Sequence, residues 1–190
     1  MLTHKGTCSL QTKRLLLRRF AEEDAADMYG NWASDERVTR YLTWRPHVSE
    51  RETAALLAGW VAEYIRDGFY NWAMEWDGAV IGNISVVRVQ EQADACELGY
   101  CMDAAFWNRG FMTEACLAVL TFLFEEVGCN RIAASHVRQN AASGRVMQKC
   151  GMIKEGISRQ GWRLPSGQFA DLVHYAVLRK EWAACLPPHL

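Results

Sequence analysis

The chain has 190 residues, 50% of them hydrophobic, which is enough for one domain with a sizeable core. Lys plus Arg number 21 against Asp plus Glu at 22, a formal charge of -1, which excludes a global basic field for nucleic acid. No apolar run approaches the ~20 residues that cross a bilayer and MLTHKGTCSL has no signal-peptide core, so the cytoplasm is the expected compartment and no membrane partner is expected.

Thr12 to Phe20, TKRLLLRRF, predicts an opening strand, and the acidic start of EEDAADMYGNW suits a first helix. Pro46 forces a break in YLTWRPHVSERE, after which Ser49 and Glu52 form a capping box for a helix running to about Arg66 and closed by Asp67-Gly68. Tyr70 to Trp76 and Ala79 to Gln90 are strand-like runs joined at Asp77-Gly78, the strongest hairpin signal in the chain. Glu91 to Ala95 is polar and turns the chain into Leu98 to Met102, where Leu98, Tyr100 and Met102 alternate with Glu97, Gly99 and Cys101 as a strand does.

The segment from about Thr113 to Val127 is apolar nearly all round, the mark of a deeply buried helix, and Gly128 supplies a left-handed stop. Its start is unusual. Arg109, Gly110, Phe111 and Met112 offer no good side-chain cap, so the first-turn amides and the positive dipole end form an anion site that Gly110 leaves open to close approach. Strand, glycine-bearing loop and uncapped helix together suggest phosphate binding; an ordinary loop is the plainer reading.

Arg131 to Arg138 predicts a further strand, Asn140 to Cys150 a helix ended by Gly151, and Met152 to Leu164 with Phe169 to Leu178 two closing strands around Pro165-Ser166-Gly167-Gln168. Lys180 to Leu190, with Pro187-Pro188, reads as a surface end. Seven cysteines include no CxxC pair, and five lie within patterned segments, so they read as buried reduced thiols. No HExxH or Cys/His cluster suggests a metal, and neither GxGxxG nor GxxxxGK[ST] occurs.

This order implies a mixed α/β (α+β) sheet with helices on both faces, a description that several folds satisfy. The wording ELGY, then WNRGFMTEA, resembles the acetyl-CoA-binding motif of the GNAT N-acetyltransferases, and within them the RimJ/RimL type that acetylates ribosomal-protein N-termini. The family loop is usually Gln or Arg, two residues, Gly, one residue, then Gly or Ala; here Trp107, Gly110 and Met112 stand there, and only the central glycine fits the broad pattern. Trp107, and Met before Thr-Glu-Ala, are familiar in the ribosomal branch. The likeness runs from RLLLR through NWAMEW and IGNISV to the final strand, and implies the GNAT acyl-CoA fold, in which the ELGY strand and the Arg131 strand splay to admit a pantetheine arm.

On that resemblance the pyrophosphate of acetyl-CoA meets amides of Asn108, Arg109, Gly110, Met112 and Thr113. The Arg109 side chain is either a cationic partner or a solvated charge. The pantetheine arm pairs with backbone along Leu98, Tyr100 and Met102. Asn140 and Ser143 match the family's N-x-x-S pattern, where the Asn holds the arm and the Ser reaches the departing sulfur; both are also good helix caps. Many family members carry a tyrosine slightly further on as general acid, and here that position is Met147, which leaves Ser143 or water as proton donor.

Glu97 is the candidate general base, against a merely solvated carboxylate, and an α-amine near pKa ~8 needs modest help from it. His136, sharing a face with Ile132 and Ala134, reads first as a core histidine. Trp44, beside Arg45 and Pro46, is expected to line the acceptor groove. The function implied is direct acetyl transfer to a protein N-terminal amine, with a homodimer among the expected assemblies; a small-amine acetyltransferase acting on a polyamine, amino acid or aminoglycoside, and a non-catalytic acyl-CoA-binding module, are the alternatives.

Overall fold

A computed structural model describes residues 1–185. Its frame is an eight-stranded sheet in the order β1-β2-β3-β4-β5-β6-β8-β7. The strands are β1 (Leu10–Gln11), β2 (Leu16–Arg18), β3 (Asn71–Trp76), β4 (Ala79–Gln90), β5 (Ala95–Met102), β6 (Arg131–Val137), β7 (Ile153–Arg163) and β8 (Phe169–Leu178). Neighbours are antiparallel except β5 and β6. A parallel pair needs a long crossover, which is helix α4 (Phe111–Phe122), continued by a wider turn over Leu123–Val127.

Two apolar layers hold the sheet. On one face α4 and α5 (Ala141–Lys149) pack over Leu98, Met102, Ile132 and Val173; on the other, α1 (Ala25–Met28), α2 (Glu36–Thr39) and α3 (Glu50–Glu63) enclose Phe20, Met28, Trp32 and Leu57. Asp77 and Gly78 both take positive φ, 51° and 79°, as a two-residue hairpin whose twist matches its strands requires.

Four sequence expectations are corrected. The predicted opening strand Thr12 to Phe20 is reduced to β2, because the Thr12 amide donates to the Leu15 carbonyl and the Leu15 amide donates to Thr12 Oγ1, a turn that folds β1 back on β2. The capping box is only half formed: the Glu52 amide donates to Ser49 Oγ, but the Glu52 carboxylate accepts from Val48, and α3 stops at Glu63 rather than Arg66. Helix α4 starts at Phe111, two residues before the predicted Thr113, because Gly110 at φ 81° makes its cap. Finally, the chain after β8 is not all surface: Arg179–Cys185 forms a helix, α6, that stacks Trp182 on Phe124 at 5.7 Å. Pro187-Pro188 lies outside the described residues.

The feature that positions the site is the brevity of the β5–β6 pairing. It runs from Ala95↔Arg131 to Leu98↔Ala134 and stops. Opposite this point β4 carries a bulge between Val86 and Arg88, which adds local twist. Gly99 leaves room there for Val87, since a Cβ would lie 2.7 Å from Val87 Cγ1 and push that exposed side chain aside. From Gly99 and Ser135 onward the two strands diverge without pairing.

Candidate active site

The N-terminus of α4 has no side-chain cap, and Asn108 and Gly110 both take positive φ, 60° and 81°. The turn is braced from outside. The Trp107 indole N–H donates to the Met102 carbonyl at 2.9 Å, and Arg14 Nη1 donates to the Arg109 carbonyl at 3.0 Å. Arg14 also lies 4.0 Å from the Phe111 ring centroid and donates from Nε to Glu114 at 2.7 Å.

Glu114 accepts further from Thr12 Oγ1 at 2.7 Å and from the Arg14 amide at 2.8 Å. Burial alone would raise its pKa, but the Thr12 and Arg14 hydrogen bonds and the Arg14 charge together hold it below the ordinary glutamate value of 4.5. A carboxylate lowered on folding contributes stability that is present above that value and lost as pH falls through the depressed one. Glu114→Gln is therefore expected to flatten the acid limb of stability below about pH 4.5. Urea unfolding followed against pH checks this, and an unchanged limb would discard the brace.

Beside this turn is a cavity of about 620 Å³ lined by Trp107, Asn108, Gly110, Met112 and Thr113, by Tyr100 to Met102 of β5, and by Asn140 and Ser143 at the start of α5. Arg109 is not in that lining. Its guanidinium sits over the rings of Phe106, Phe111 and Trp76 at 5.1, 5.3 and 5.7 Å while the residue stays exposed, a charge in solvent that rests on an aromatic surface. The cations that do line it are Arg37, Arg40, Arg145 and Lys149. Arg145 and Lys149 could be read as one helix face from their spacing of four.

A second cavity, also about 620 Å³, opens on the other side of the splay. Leu98, Glu97 and Trp44 line it, with Trp60, Glu52 and Ser135. The two cavities share Tyr41, Leu42, Tyr100, Cys101, Asn140 and Ser143, so they meet where β5 parts from β6.

At that junction Asn140 caps α5, its Oδ1 accepting from the Ser143 amide at 3.4 Å. Capping and lining the cavity are thus compatible. Ser143 Oγ donates to the Tyr100 hydroxyl at 3.1 Å, and the Tyr100 hydroxyl donates to the Ser143 carbonyl at 3.0 Å. Burial drives the Tyr100 phenol well above its usual range, which keeps it protonated. The family resemblance gives Tyr100 only a main-chain role, and its parity with Leu98 and Met102 is the signal in the sequence for more. Met147 is fully buried in the core.

Cys101 also lies at the junction, where burial pushes its thiol up to about 12, so it is no thiolate nucleophile. His136 is buried, with Nδ1 donating to the Val137 carbonyl at 2.8 Å and Gly144 seated on the ring so closely that a Cβ would lie 2.6 Å from Nε2. Glu97 is half-buried: Arg88 Nη2 is 3.5 Å away and Ser135 Oγ donates to it at 3.4 Å.

The GNAT acetyltransferase domain matches residues 14–153. The chain is 30% identical over 172 residues to the uncharacterized N-acetyltransferase YoaA of Bacillus subtilis, covering 90% of this chain and 96% of that one. It is 28% identical over 184 residues to the ribosomal protein uS5-alanine N-acetyltransferase of Escherichia coli, covering 91% and 92%. A solved RimL, the ribosomal L7/L12 alpha-N-protein acetyltransferase in complex with coenzyme A, superposes with a TM-score of 0.82 at 21% identity, over 90% of this chain and 98% of that one, a likeness of fold. An uncapped helix beside a parted strand pair, on a chain that this domain spans for most of its length, makes the protein an acetyltransferase of the GNAT family.

Proposed function

We propose that the protein transfers acetyl from acetyl-CoA to the α-amine of a protein N-terminus by direct attack in a ternary complex. The observation that carries this reading is the parting of β5 from β6 between two cavities that meet at Tyr100 and Ser143. Acetyl-CoA supplies an activated acyl group on a thiolate leaving group. On this reading amides of Asn108, Arg109, Gly110, Met112 and Thr113 hold its pyrophosphate, and the edge of β5 over Leu98, Tyr100 and Met102 holds its arm.

The remaining steps fall to side chains at the junction. Glu97 takes the amine proton, Asn140 orients the arm, and Ser143, its hydroxyl backed by Tyr100, is the proton donor nearest the leaving sulfur. A neutral Cys101 agrees with the absence of a covalent enzyme intermediate. Trp44 and Trp60 give the acceptor an apolar wall, and ribosomal-protein acetyltransferases among the relatives favour a peptide.

A second reading keeps the chemistry and takes a polyamine, favoured by the carboxylates of Glu52 and Glu97 in the acceptor cavity. Thiol release from acetyl-CoA against a panel of N-terminal peptides and polyamines separates the two. Turnover on peptides alone supports the first; turnover on polyamines alone replaces it; binding of coenzyme without turnover on any amine leaves a binding module.

The coenzyme end has its own test. Gly110→Val is expected to weaken acetyl-CoA binding roughly 10-fold, because the free turn escapes the left-handed conformation that costs an L-residue about 1–2 kcal/mol and binding must restore it, and 1.4 kcal/mol is a decade of affinity. Calorimetric titration reads it, and undiminished affinity would remove this turn from the site.

A further inference from the structure

Glu97 is one end of a chain of polar side chains that crosses the sheet. Ser135 Oγ of β6 is 3.4 Å from Glu97 Oε1 and 2.9 Å from His174 Nδ1 of β8, and His174 Nε2 is 2.7 Å from Ser158 Oγ of β7. The register explains the alignment, since Ser135 is paired with His174 across β6 and β8. Glu97 and Ser135 line the acceptor cavity, whereas Ser158 is exposed on the edge strand. Four groups able to accept or pass a proton therefore link the cavity to solvent.

The charged neighbours are paired at the margins. Arg88 of β4 faces Glu97 at 3.5 Å, and Arg131 of β6 is held by Glu155 of β7 at 2.5 Å. No lysine or arginine interrupts the chain itself.

We propose that Ser135, His174 and Ser158 form a relay that carries the amine proton from Glu97 to bulk water. This rests on the reading of Glu97 as the base. The proton leaving the ammonium bonds to the Glu97 carboxylate. Once protonated, Glu97 donates to Ser135 Oγ and the Ser135 hydroxyl turns to His174 Nδ1; the Glu97 proton then passes to Ser135 Oγ as the Ser135 hydroxyl proton moves to Nδ1, and the His174 Nε2 proton passes to Ser158 Oγ as the Ser158 proton enters solvent. One proton leaves the site, no electrons change hands, and Glu97 is again a carboxylate. Hydroxyl rotation and exchange of the ring protons with water reset the chain. Ser135 and His174 are positioning residues here, because Ser135 touches the base and His174 acts through Ser135.

The test uses acetyl-CoA with the peptide or amine that gives the highest thiol release in the panel above. In the wild type, rates in mixtures of light and heavy water are expected to bow downward, as transfer of several protons in one step requires; a straight line overturns the relay without any variant. Ser135→Ala and His174→Gln are each expected to lower kcat roughly 10-fold, below the ~100-fold and more that a positioned base contributes directly, with both KM values unchanged. Added imidazole should restore most of the loss in His174→Gln and none in Glu97→Gln.

If Glu97→Gln is slow while Ser135→Ala and His174→Gln keep the wild-type kcat, the relay fails and the base stands. If all three keep it, the base reading fails and takes the relay with it. A loss in His174→Gln that imidazole leaves untouched assigns His174 a structural role and overturns the relay. Ser158→Ala, a small change on an exposed edge, should slow turnover less than either.

Discussion

Replacing Glu97 by Gln is expected to lower kcat at pH 7 by about 100-fold, the low end of what a positioned general base contributes, and to leave acetyl-CoA binding unchanged. The side chain is an isostere, so the contact with Ser135 persists in altered polarity and the fold is not disturbed. The deficit should shrink as pH rises past about 8, where an α-amine loses its proton to water without help. A pH series of kcat for both proteins reads this as converging curves. Curves that stay parallel would show that Glu97 stabilises something other than the departing proton, and coincident curves would remove it from the reaction.

Trp72→Ala is expected to be the most damaging substitution to stability. Trp72 is fully buried on β3, 6.0 Å from the Tyr70 ring and 5.9 Å from Phe122 of α4, and its indole N–H donates to the Cys8 carbonyl at 2.7 Å. One side chain thus joins the N-terminal segment, the sheet and the crossover helix. Truncation opens a cavity and orphans a carbonyl, at a cost of about 3–5 kcal/mol. For a chain of this size that lowers Tm by roughly 6–20 °C. Trp72→Phe refills most of the space and should recover much of the loss. A calorimetric scan in which both variants melt like the wild type would contradict the packing described.

The fold was legible where one residue type leaves one backbone option. Asp77-Gly78 is the chain's strongest hairpin signal, and the limits of β4 and β8 follow from the turn residues that bracket them. Gly128, at φ 90°, ends its helix as its position after Val127 implied. The turn at Thr12 carries no such signal, because it contains neither Gly nor Pro and is made by the Thr12 amide and hydroxyl oxygen bonding the two main-chain groups of Leu15.

Site residues divide in the same way. Asn140, Ser143 and Gly110 lie within local patterns, and all three come together around one cavity. The turning of Arg109 onto Phe106, Phe111 and Trp76 depends on rings from three segments. The bond between Tyr100 and Ser143 spans 43 residues, and that between Ser135 and His174 spans 39, so no window along the chain contains either pair. Periodicity assigns a side chain to a face; which partner it meets is decided by the sheet order.

Where β5 leaves β6 after Leu98, the groups turned toward the gap are peptide amides and carbonyls. Alanine scanning over Gly99 to Met102 swaps only what hangs from the backbone and would therefore return silence about them, however firmly they grip a ligand. Their contribution becomes visible when single amides in this tetrad are exchanged for esters by protein semisynthesis, which deletes one N–H donor at a time and keeps every side chain.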